Sequence, residues 1–280
     1  MLLGLALSIC SPRAAGEPGW SPLDITGVEA YVDPRLGVTV DGSNRITALV
    51  EQVDSEAMGN TFSGVGFEPR PATDWLPTRE ANAFGSLPGI RMLPVAGPPI
   101  VAAQWLNTPT RRGMASGMSI FWVSKHTSTR TVANHGTQNL PLTVTGDSTS
   151  NVFNGFGFSG GELGCSIFTS SFVKTYRGSG YNDGTARLYG WTWSTAGDLK
   201  AYVNGAQVGA TATGITYYGS LQNAWCAIGS GYRAETTGDI YGGDDGFDGL
   251  LGPVVVVNGV ISGADLADLY TWSRAQGWVP

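Results

Sequence analysis

The chain has 280 residues, 41 of them Gly, a formal net charge of −6, and only 14% Asp, Glu, Lys and Arg, where an average soluble domain carries about 25%. Its 42% hydrophobic residues, with nine Trp, ten Tyr and ten Phe, supply a large core and exclude a disordered chain. The acidic balance argues against nucleic acid, no apolar run approaches the roughly 18 residues of a membrane helix, and cysteines at 10, 165 and 226 are too few for a disulfide framework or a zinc clip.

Residues 1–10 alternate large and small. Leu3, Leu5, Leu7 and Ile9 are large; Gly4, Ala6, Ser8 and Cys10 are small. This period of two is a strand pattern. It predicts an apolar docking arm that buries itself on a neighbour by edge pairing. The alternative is a secretory signal over residues 1–15, with cleavage near Ala14-Ala15; no basic residue precedes the apolar stretch, which argues against it. Pro12, Pro18 and Pro22 make residues 11–22 a linker.

From residue 23, short strand-like segments alternate with turn signals. Ile25 to Val32 ends at Asp33-Pro34, and Val38 to Val40 ends at Asp41-Gly42. Ile46 to Val53 reads as strand or a short helical turn. Residues 59–100 carry Pro at 69, 71, 77, 88, 94, 98 and 99, which predicts an irregular connection or very short strands. Met118 to Ser124 is apolar on both faces, a central strand. Val152 to Phe158 alternates. Leu188 to Trp193 places Tyr189, Trp191 and Trp193 on one face. Leu199 to Val203, Asn204-Gly205 and Ala206 to Gly209 form a hairpin with a primed two-residue turn. Ala224 to Ser230 and Val254 to Val257 are further strands. One helix is expected, over about 263–276, capped by Ser262 with Asp265 three residues on and ended by Gly277. Only three Lys occur in the chain, too few for many helical surfaces. The prediction is an all-β, two-sheet antiparallel sandwich with one short C-terminal helix.

Two catalytic patterns occur by spelling only. Gly155 to Gly160 fits G-x-G-x-x-G and Gly157 to Gly161 fits G-x-S-x-G. The flanks read as strand on both sides, and both histidines, His126 and His135, lie upstream, so neither motif has its required context. No strand carries the E-x-D-x-x-E spacing of retaining sandwich glucanases; Glu235 and Asp239 come nearest. Among residues 239–248, Asp239, Asp244, Asp245 and Asp248 form an oxygen-rich loop suited to calcium or a solvated turn. The Tyr189, Trp191, Trp193 stripe is a sugar-stacking platform if it faces out and core if it faces in. His126 and His135 read as loop residues. Cys165 and Cys226 could pair if adjacent; free buried thiols are the default.

The order of Ser116 to Ser124, Leu199 to Val208, Phe247 to Ser262 and Ala264 to Trp272 resembles the laminin-G-like, concanavalin-type jelly-roll domains. Arg70-Pro-Ala-Thr through Leu87-Pro-Gly-Ile-Arg91 is similar to a stretch common in bacterial and phage members, as is Ser21-Pro-Leu-Asp-Ile through Asp33. The resemblance covers roughly 21–278. Val95-Ala-Gly97 and Pro253 depart from the family pattern. The resemblance implies a jelly roll over 21–280 behind an arm and linker over 1–20. The Gly- and Leu-rich start before such a domain resembles the ends of phage structural proteins, and this implies a virion component: head decoration, spike or tail-fibre module.

The expected function is a non-enzymatic virion-surface protein with no catalytic residues. It docks to other virion proteins or copies of itself through residues 1–20, as a homo-oligomer, and presents a glycan-binding jelly roll whose loops touch host-surface carbohydrate for host attachment. No nucleic-acid partner and no membrane insertion are expected, and calcium is the one candidate cofactor. The alternative is a secreted carbohydrate-binding or glycan-cleaving protein of the same fold.

Overall fold

A computed structural model describes residues 19–54, 57–58, 76–95, 102–103, 105–107, 113–129, 141–145, 153–168, 172–217, 225–229, 232–233, 240–241 and 247–280. The strands of the two large sheets are, in chain order, β1 (Val28–Val32), β2 (Thr78–Phe84), β3 (Leu87–Met92), β4 (Trp105–Asn107), β5 (Met118–Lys125), β6 (Leu142–Thr145), β7 (Phe153–Ser159), β8 (Glu162–Phe168), β9 (Phe172–Arg177), β10 (Arg187–Trp193), β11 (Leu199–Val203), β12 (Ala206–Ala212), β13 (Trp225–Gly229) and β14 (Gly249–Asn258); one helix, α1 (Gly263–Ala275), follows. The eight-stranded sheet runs β12-β11-β10-β5-β14-β3-β2, with β1 also on β14. The six-stranded sheet runs β9-β8-β7-β6-β13-β4. Every pairing within them is antiparallel. The all-β sandwich with a single C-terminal helix is the fold.

Side chains of both sheets meet in one core. Met118, Ile120 and Trp122 of β5, Val254 and Val256 of β14, and Tyr189, Trp191 and Trp193 of β10 face Leu142, Phe156, Phe158, Leu163, Cys165 and Ile167 of the six-stranded sheet. Alternate residues of β5 and β14 point the other way. Phe121, Val123, Val255 and Val257 meet a second core with Leu266, Leu269 and Trp272 of α1, together with Trp20, Ile25, Trp278 and Val279. Covering on both faces explains why Met118–Lys125 and Val254–Val257 read as unbroken apolar runs.

Local chemistry sets the turns. Asn204 and Gly205 take φ of 51° and 78°, the paired left-handed geometry of a primed hairpin turn. Ser262 Oγ accepts from Asp265 N–H at 3.0 Å and starts α1; Gly277, at φ 82°, follows its end. Gly190 faces the second core, where an added Cβ would overlap the Phe121 ring.

Two prolines lie inside strands that the sequence pattern argues against. Residues 78–92 form two full strands, β2 and β3, rather than an irregular connection. Pro88 sits where the β2 register shifts between Glu80 and Phe84 and before the β14 pairing begins at Ile90. Pro253 lies between Leu251, which pairs with Ser124, and Val254, which pairs with Trp122, so Gly252-Pro253 opposes Val123 in a bulge. There β14 also exchanges one neighbour for another, β3 ending at Leu251 and β1 starting at Val254. A missing N–H costs little at such a point.

The thiols do not pair. Cys165 on β8 and Cys226 on β13 are separated by β7 and β6, about 14 Å across three strand spacings, against the ~4.4–6.8 Å Cα reach of a disulfide. Both are buried thiols outside any disulfide, and burial pushes the Cys165 thiol well up.

Candidate functional site

The aromatic stripe of β10 points inward. Tyr189, Trp191 and Trp193 are 0%, 1% and 1% exposed, so no sugar stacks on them. Their face is fixed by pairing: Trp122 opposes Tyr189 and Ile120 opposes Trp191, and both partners belong to the core between the sheets. The docking residues Leu3, Leu5, Leu7 and Ile9 lie outside the described residues, as do His135, Glu235, Asp239, Asp244 and Asp245. Asp248 is half-buried and engaged just before β14. Among the described residues no group of three or more His, Cys, Asp or Glu could hold a metal. Gly155 and Gly157 belong to β7, and Gly160-Gly161 turns that strand into β8. That hairpin has neither the helix nor the nucleophile elbow the two glycine motifs require.

Polar and aromatic groups that remain accessible converge at one end of the sandwich. The end of β5, the β7–β8 turn, the end of β9 and the loop 178–186 meet there. Tyr181 N–H donates to Gly161 C=O at 2.9 Å, and Gly184 N–H donates to His126 C=O at 3.0 Å. These two bonds tie the loop to both sheets. Asn182 lies against Gly161, where an added Cβ would meet its Oδ1.

Within the loop, Arg187 Nη1 and Nη2 donate to Asp183 Oδ1 and Oδ2 at 2.8 and 2.7 Å, a bidentate fork. Thr185 N–H also donates to Asp183, at 2.9 Å. The Arg187 bond, then the Thr185 N–H, hold the Asp183 carboxyl far below the ordinary carboxylate range, and the same pair raises Arg187. The guanidinium lies over the Tyr181 ring at 5.6 Å. Tyr181 meets Tyr189 edge-on at 5.7 Å, Tyr189 meets Phe158 at 4.8 Å, and Phe158 meets Trp122 at 6.2 Å. A continuous chain of rings therefore anchors the loop in the core. Burial pushes Tyr189 up to about 12, so its hydroxyl stays protonated at neutral pH.

Tyr176 occupies a different position. Leu163 and Cys165 face the core, so Gly164 between them faces out, and Tyr176 is its register partner. Gly164 in turn opposes Gly157 on β7. The phenol of Tyr176 lies close enough to Ser159 of β7 and Glu162 of β8 for both to act on it. Ser159 stands two strands away, so the Tyr176 side chain extends across β8 toward the Gly160-Gly161 turn. Both glycines are buried while Tyr176 is only half-buried. Burial, then the Glu162 charge, raises the Tyr176 pKa.

His126 lies beneath this end, 3% exposed. Its ring packs on Phe158 at 4.0 Å and on Phe247 at 6.3 Å. Burial holds its pKa down to about 4, outweighing the nearby Asp183 charge. The ordinary value is 6.5, so below about pH 6.5 the unfolded chain takes up a proton that the folded chain refuses. The His126 contribution is complete above that pH and is lost as pH falls toward 4. The expected loss is ~2–3 kcal/mol across that window. Urea unfolding of wild type and His126→Asn between pH 7 and pH 4 measures it; parallel pH profiles would contradict this assignment.

Sequence reasoning missed Tyr176, Tyr181, Asn182, Asp183 and Arg187. The one available signal was Asp183 four residues before Arg187, with turn glycines at 178, 180 and 184.

No family model matches the chain, and no curated protein is similar to it in sequence. Solved structures are similar in fold. One is domain 4 of a GH43 extracellular arabinanase from Geobacillus stearothermophilus, in complex with arabinotriose, with a TM-score of 0.50 and 13% identity over 87% of this chain and 98% of that one. Another is the Trypanosoma rangeli sialidase, with a TM-score of 0.51 and 14% identity over 98% of this chain but 37% of that one. A third is the native heptameric SAP-like pentraxin from Limulus polyphemus, with a TM-score of 0.47 and 13% identity over 63% and 78%. The likeness is one of fold. This chain has a two-sheet antiparallel jelly roll. It spans little more than a third of the sialidase.

Proposed function

We propose that the chain is a carbohydrate-binding module without catalytic activity, and that the sugar seats on Tyr176 at the Gly160-Gly161 end of the sandwich. The observation that carries this reading is the Tyr176 ring. Its phenol reaches across β8 to the neighbourhood of Ser159 and Glu162, and the side chain is only half-buried. The accessible part of an aromatic ring suits the C–H-rich face of a pyranose or furanose. Asn182 lies against Gly161 at the same end and supplies donors and an acceptor for sugar hydroxyls. Asp183 supports binding over hydrolysis, since a carboxyl kept ionised by Arg187 is a poor general acid. The arabinanase domain of the same fold, which holds arabinotriose, supports a glycan ligand.

The module's setting is a particle surface, docked through residues 1–20. The support for it is the resemblance to phage structural proteins together with the alternation of Leu3, Leu5, Leu7 and Ile9.

Calorimetric titration with arabino- and galacto-oligosaccharides tests the binding reading. Tyr176→Ala is expected to weaken binding at least about tenfold, or ~1.4 kcal/mol, and Tyr176→Phe to retain most of it. Equal affinities of wild type and Tyr176→Ala would contradict it.

A further inference from the structure

We infer that this site selects uncharged sugars and discriminates against those bearing a carboxylate. The inference rests on the glycan-binding reading above and concerns which class of glycan enters. A uronic or sialic acid carboxylate is best held by a guanidinium with both fork donors open. Among the described residues, every cation near this end is already committed. The Arg187 fork is filled by Asp183, and its guanidinium face covers Tyr181. Arg177 turns into the seam between the sheets, where Nε donates to Ala210 C=O at 3.0 Å and Nη1 to Tyr176 C=O at 2.8 Å. Gly209 makes room for it, since a Cβ there would collide with the Arg177 side chain. Lys125 Nζ sits over the Phe84 ring at 5.4 Å, and Phe84 belongs to the core on the far side of the eight-stranded sheet. Lys174 is engaged as well.

The anionic groups are more open. Glu162 is exposed on the turn beside Tyr176, close enough for its charge to act on the phenol, and no ion pair holds it among the described residues. The Asp183 side chain is 45% exposed despite its fork. Among the described residues, an incoming carboxylate thus meets two negative charges and no open guanidinium, while a neutral sugar meets a ring, amide groups and hydroxyls.

The test titrates the full chain with matched pairs: lactose against sialyllactose, and galacto-oligosaccharide against oligogalacturonate. The expected result is that the neutral member of a pair binds at least about tenfold tighter at low salt, with the gap narrowing as salt screens the site. Glu162→Gln is expected to improve acidic-sugar affinity about two- to threefold and to leave neutral-sugar affinity unchanged. Asp183→Asn, which opens the Arg187 fork, is expected to improve acidic-sugar affinity further. Tighter binding of the acidic member by wild type would overturn the inference and leave the glycan-binding reading standing. Binding of neither class would overturn both.

Discussion

Trp191→Ala is expected to lower folding stability by about 3–5 kcal/mol, while molecules that remain folded keep their sugar affinity. The indole is 1% exposed and stands in the core between the sheets, flanked in register by Ile120 and Ala201. Removing it deletes one of the largest side chains of that core and leaves a cavity that two hydrogen-bonded neighbours cannot close. Trp191→Phe, which keeps most of the volume, is expected to cost less and to give enough folded protein for titration. A surface platform would behave in the opposite way, losing binding at constant stability. Chemical unfolding and titration on the same variants separate the two.

The second large effect lies at the other edge of the fold. Asp33 is 0% exposed and accepts from Tyr31 Oη at 3.0 Å, Arg35 N–H at 2.9 Å and Arg35 Nη2 at 2.6 Å. Arg35 in turn lies over Trp278 at 5.3 Å and Trp272 at 6.0 Å, and donates to Gln276 Oε1 at 2.7 Å. The pair therefore clamps the segment after β1 to the end of α1 and the chain terminus. Arg35→Ala leaves the Asp33 charge buried without its cation, and a loss of about 3–5 kcal/mol is expected. Asp33→Ala strands the guanidinium and the Tyr31 hydroxyl instead. A double-mutant cycle isolates the coupling; a loss below about 1 kcal/mol for Arg35→Ala would show that the clamp contributes little.

These two sites differ in how far the sequence reveals them. The period of Tyr189, Trp191 and Trp193 defines a shared face, but only pairing with Trp122 and Ile120 decides that the face is interior. The β5 strand, the Asn204-Gly205 hairpin and α1 were legible because the signal of each is local: an apolar run, a primed turn and a cap. β2 and β3 were not, since Pro77 and Pro88 read as breakers until β14 and the bulge in β2 show that no N–H is needed at Pro88. β8 and β9 escaped for a related reason. Gly164 and Ser166 stand at outward positions where an alternating pattern is expected to carry larger polar residues.

Tyr176 is the clearest case of a residue whose role pairing alone exposes. It stands in an ordinary strand, Phe172–Arg177. Its place near Ser159 and Glu162, which are distant in sequence, comes from the register of β7, β8 and β9. Low charge has a local meaning here too, since Arg187 and Arg177 are both neutralised or turned inward.

The most direct measurement is an isotope-labelled chemical-shift map of the full chain titrated with a neutral arabino- or galacto-oligosaccharide. The expected result is saturable shifts centred on Tyr176, Ser159, Gly161 and Asn182, weakened in Tyr176→Ala. Shifts centred elsewhere, for example on the Asn204-Gly205 turn, or no shifts at any concentration, would contradict the account.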